Sequence, residues 1–71
     1  SYLICDLIGL KALDAKTNKE LGFISEVLTL PAHNVYVIKG KKERLIPAVS
    51  EFIIETNISD GYIKFNLIEG L

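Results

Sequence analysis

Short runs of β-branched and aromatic residues recur along this chain, and each is cut by Gly, Pro, Asn, Asp or Lys before it could wind a stable helix. That rhythm predicts an all-β fold. The first strand is expected over about Ile8 to Leu13, with Ile8, Leu10 and Ala12 on one face and Lys11 on the other. The polar run from Asp14 to Lys19, containing Thr17 and Asn18, reverses the chain. A second strand over about Leu21 to Leu28 sets Leu21, Phe23 and Val27 on one side and Ile24 and Leu28 on the other. Gly22 sits inside that strand, where a missing side chain permits a bend or a close backbone approach. After Pro31, His33 and Asn34, the unbroken run Val35-Tyr36-Val37-Ile38 predicts a central strand. Gly40, Lys41 and Lys42 turn it back through Arg44, Leu45 and Ile46, so that residues 34–46 form a hairpin. Pro47 has no N–H for the ladder and ends this strand. The stretch Pro47 to Phe52 has room for one helical turn, and Phe52 to Thr56 is extended. Asp60-Gly61 makes a hairpin turn into Tyr62 to Leu67, with Ile63, Phe65 and Leu67 inward.

A length of 71 residues leaves room for one core. About six short strands in so small a chain cannot stack into a sandwich of normal depth. The predicted architecture is therefore a small β-barrel, closed or partly open, with at most one short helical turn. No staple reinforces it. One cysteine, Cys5, and one histidine, His33, exclude an internal disulfide framework and a four-ligand zinc site, and no cofactor site is predicted. Cys5 is expected in the core as a small apolar side chain, its unpaired thiol suiting a reducing compartment. His33 is expected in an exposed loop. The apolar runs are too short for a helical membrane span. A composition 49% hydrophobic and 24% charged is that of a folded domain, and a net charge of −1 excludes a uniformly basic surface.

Catalysis needs a base within hydrogen-bond reach of a nucleophile, and His33 is the one imidazole. A Cys5–His33 dyad is the sole pairing of that type, and a loop histidine with a buried thiol is the simpler reading. Ser50 lacks the flanking glycines of a nucleophile elbow, and no phosphate-binding glycine loop is present. The one charge cluster is Lys39, Lys41, Lys42 and Arg44 at the tip of the predicted hairpin. These four are candidate phosphate contacts; the plainer reading is a solvated turn whose lysines discourage edge pairing. Tyr36 and Phe52 are expected in the core.

Several short motifs stand in collinear order: Asp6-Leu7-Ile8-Gly9-Leu10, Glu20-Leu21-Gly22, Glu26-Val27-Leu28, Asn34-Val35-Tyr36-Val37, Glu43-Arg44-Leu45-Ile46-Pro47 and Glu69-Gly70-Leu71. Together they resemble the C-terminal PRC-barrel domain of the ribosome maturation factor RimM family. The chain departs from the family at two places. No acidic residue follows Asn34, and Tyr2 is followed by Leu3 and Ile4 where family members often carry adjacent aromatics. The resemblance implies a PRC barrel over residues 6–71, with residues 1–5 as the joint to a separate N-terminal domain. The chain starts at Ser1 and contains no methionine, which agrees with its being a piece of a longer protein. The resemblance further implies a non-catalytic, cytoplasmic binding domain that associates with the free small ribosomal subunit. Contact with a protein of the subunit head and support of ribosomal RNA processing, with local RNA contact, are implied as well. Tyr2, Leu3, Ile4 and Asp6 are the candidate partner-binding residues, and packing of the first three against the domain's own N-terminal partner is the equal alternative. PRC barrels also serve as structural modules in other assemblies, which is the alternative function.

Overall fold

In a computed structural model, residues 4–67 are described. They form a short helix α1 (Ile4–Leu7) and six strands: β1 (Lys11–Asp14), β2 (Glu20–Thr29), β3 (Asn34–Lys39), β4 (Arg44–Pro47), β5 (Ile53–Asn57) and β6 (Tyr62–Phe65). The all-β expectation of about six strands holds. The strands join in one sheet in the order β4-β3-β2-β1-β6-β5, antiparallel except where β1 runs parallel to β6. β4 and β5 are the edges, so the barrel is partly open. How strongly the sheet curls follows from one aromatic pair. Tyr36 on β3 and Phe65 on β6 are three strand spacings apart, which is about 14 Å across a flat sheet. Their ring centroids lie 6.0 Å apart at 80° in an edge-to-face contact, so the sheet wraps around them.

The concave side holds the core. Ala12, Ile24, Ile38, Ile46, Ile63 and Phe65 are fully buried and pack with Leu7, Leu10 and Tyr36. Leu21, Val27, Phe52 and Leu67 close its margins. Local chemistry sets the connections. In the β1–β2 turn, Asp14 accepts from the Lys16 N–H through Oδ1 (2.9 Å), and Asn18 takes the left-handed conformation at φ 59°. In the β5–β6 turn, Asn57 Oδ1 accepts from the Asp60 N–H (2.9 Å) and Gly61 supplies φ 80°.

Five expectations need correction. Ile8 does not join β1; it lies in the turn after α1, 46% exposed, and Leu7 takes the inward place. Phe23 is 49% exposed, on the opposite side from its expected companions Leu21 and Val27. The physical cause is a pair of register irregularities that flank Phe23, one between Ala12 and Leu13 opposite Gly22 and Glu20 and one between Ile24 and Glu26, so one period of two cannot describe the whole strand. Cys5 is exposed, because the α1 turn directs Leu7 into the core instead. His33 is half-buried, with Nδ1 sequestered from solvent. The helix is at residues 4–7. At the predicted place, Val49 accepts through its carbonyl from the Phe52 and Ile53 N–H groups, a single turn that leads into β5.

Candidate functional site

The β3–β4 hairpin carries the basic cluster, and its position depends on two glycines. A Cβ at Gly22 would collide with the Lys39 carbonyl, and one at Gly40 with the Leu21 carbonyl. The two backbones therefore touch at this point, and only glycine fits both places. Gly22 also has φ 143°, which side chains rarely tolerate. The close approach expected at Gly22 is thus real, and it presses the hairpin tip against the start of β2.

An open groove of about 710 Å³ forms there. Lys41, Lys42 and Arg44 line it from the hairpin, and Lys19 joins them from the β1–β2 turn. Asp14 and Glu20 are its carboxylates, while Leu21 and Leu67 give it an apolar side. Four cations thus stand against two carboxylates in a chain whose net charge is −1. The count by itself gives the groove a local excess of positive charge. Such a groove attracts an anion; His33 and Cys5 are not among its lining residues.

The four hairpin cations are divided. Lys41, Lys42 and Arg44 share the groove, but Lys39 pairs with Phe23 in the ladder and does not line it. Lys19 stands 22 positions before Lys41, and the pairing of β2 with β3 around the Gly22–Gly40 contact brings their loops together. Of the candidate partner-binding residues, Asp6 is exposed on α1. Tyr2, Leu3 and the side chain of Ile4 lie outside the described residues, as does Glu69-Gly70-Leu71. Among the described residues, no group of three His, Cys, Asp or Glu side chains is placed to hold a metal ion. No described helix is long and apolar enough to cross a membrane.

The family model described as the RimM PRC barrel domain matches residues 4–71. Proteins called ribosome maturation factor RimM are similar over the whole chain: that of Caldicellulosiruptor bescii is 45% identical over 74 residues, and that of Desulforamulus reducens 41% over 73. In each case the chain spans 43% of the relative's length. A crystal structure of a 16S ribosomal RNA processing protein RimM from Pseudomonas aeruginosa superposes with a TM-score of 0.89 at 26% identity. That match covers all of this chain and 46% of the other.

Proposed function

The chain belongs to the RimM PRC barrel family, and from that premise we propose that it is the C-terminal, subunit-binding part of a ribosome maturation factor. In this reading it is a non-catalytic cytoplasmic domain. It docks on the free small ribosomal subunit, contacts a protein of the subunit head and supports ribosomal RNA processing together with its own N-terminal domain. The observation that carries the reading is similarity along the full chain to proteins of that name, at 41 to 45% identity. Two surfaces divide the work. The segment Tyr2, Leu3, Ile4 and Asp6 supplies apolar and polar contact to the protein partner. The groove formed by Lys19, Lys41, Lys42 and Arg44 meets phosphates of ribosomal RNA, positioning the domain without reading sequence.

Cosedimentation with purified free small subunits, large subunits and assembled ribosomes, at low and near-physiological salt, tests the proposal. Association restricted to free small subunits is the expected result. Equal association with all three particles, or none at either salt, would sink it and shift weight to a structural-module role.

A further inference from the structure

A row of side chains on the convex face stands apart from the groove. Directly opposed residues in a sheet project to the same side. The ladder pairs Lys39 with Phe23, Phe23 with Lys11, and Lys11 with Tyr62. These four therefore run side by side across β3, β2, β1 and β6. The next positions inward, Ile38, Ile24, Ala12 and Ile63, are fully buried, which sets the row on the outer side. Lys39 and Lys11 are exposed, Phe23 is 49% exposed and Tyr62 is half-buried, so two cations alternate with one open and one half-buried aromatic. At the ordinary strand spacing, Phe23 and Tyr62 stand about 10 Å apart with Lys11 between them.

Tyr62 is held in place. Its hydroxyl donates to Glu55 Oε2 (3.0 Å) and accepts from Asn57 Nδ2 (3.3 Å). Lys64, two residues on and facing the same way, sets its ammonium 5.6 Å from the Tyr62 ring centroid. The carboxylates in the adjoining row are Glu55, opposite Lys64, and Glu20, opposite Leu13. The Lys39–Phe23–Lys11–Tyr62 row itself carries none. A lone exposed phenylalanine is ordinary. One set between lysines, in line with a pinned tyrosine, suits a flexible polyanion with bare aromatic faces. Exposed aromatics on a sheet stack two or three unpaired bases in this manner, and a duplex, whose bases are already stacked, cannot use them.

We propose that this convex row is a stacking platform for single-stranded RNA, with bases on Phe23 and Tyr62 and phosphates at Lys39, Lys11 and Lys64. It rests on the proposed function for the source of the strand, an unpaired segment of small-subunit RNA, and assigns it a face distinct from the groove.

Fluorescence anisotropy with a short labelled oligouridylate, and with an RNA duplex of equal length, tests it on the chain and its variants. The single strand should bind more tightly than the duplex. Phe23→Ala and Phe23→Leu should each weaken it about 5- to 100-fold, while Phe23→Trp keeps it. Three lysine contacts predict a log–log salt slope of about −2. Circular dichroism of each variant checks that the fold is kept. Failure of the wild type to bind the oligouridylate, equal binding of the duplex, or full binding by Phe23→Leu would overturn the proposal. The same variants in subunit cosedimentation separate the two readings. Subunit association without oligouridylate binding overturns the platform alone, and oligouridylate binding without subunit association supports the platform while removing the docking role.

Discussion

Alanine in place of Gly22, Gly40 or Gly61 separates two physical costs that usually arrive together. Gly61 has φ 80° with nothing near the added Cβ, so Gly61→Ala carries the dihedral cost alone. The left-handed conformation costs an L-residue about 1–2 kcal/mol, and reduced freedom of the unfolded chain returns about 0.5, for a net loss of roughly 1 kcal/mol. Gly40 has no strained φ, but its Cβ would strike the Leu21 carbonyl, so Gly40→Ala carries the collision alone. Forcing an extra carbon into a packed site costs about 1–3 kcal/mol. Gly22 combines φ 143° with collision against the Lys39 carbonyl, and Gly22→Ala should lose about 2–4 kcal/mol. A chain of 71 residues has about 4–11 kcal/mol of stability in total, so this is a large fraction. Urea unfolding followed by far-ultraviolet circular dichroism is the assay, as the chain has no tryptophan. With a slope of roughly 1 kcal/mol per molar, the midpoint of Gly22→Ala should fall by about 2–4 M. Gly22→Ala and Gly61→Ala unfolding within about 0.5 kcal/mol of each other would refute the close approach as a constraint. The groove would then need another explanation.

Other perturbations test the core, the groove and the terminus. Phe65→Ala, at a fully buried ring packed edge-on against Tyr36, should cost about 3–5 kcal/mol in the same denaturation assay, whereas Phe23→Ala on the convex face should stay within about 0.5. Joint replacement of Lys41 and Lys42 by alanine should leave unfolding unchanged and make the log–log salt slope of subunit binding shallower by about 2; an unaltered slope would remove phosphate contact from the groove. Cys5 should react with an aromatic disulfide reagent in the folded chain as fast as in urea, and strong protection in the native state would contradict its exposure.

Much of the fold is legible in local patterns. The buried run Val35 to Ile38, the alternation of Ile63 and Phe65, and the turn chemistry at Asn18 and Asp60-Gly61 each report their own backbone conformation, because a period of two and a preference for φ above zero are local properties. Collinear motifs were enough to indicate the family. What they do not carry is which strands meet. The parallel pairing of β1 with β6 joins Lys11 to Tyr62 across 51 positions, and nothing in either segment names its partner. Register irregularities on both sides of Phe23 set it outward while Leu21 and Val27 pack against the core, and no period of two reports them. The candidate surfaces depend on these long-range choices. Sequence proximity grouped Lys39 with Lys41, Lys42 and Arg44, but ladder pairing moved Lys39 to the convex row beside Phe23, and the Gly22–Gly40 contact brought Lys19 to the groove. Residue types and their spacing determined most of the strands and turns; register and close backbone contact, which depend on the whole packed chain, determined the faces of β2 and which charges stand together.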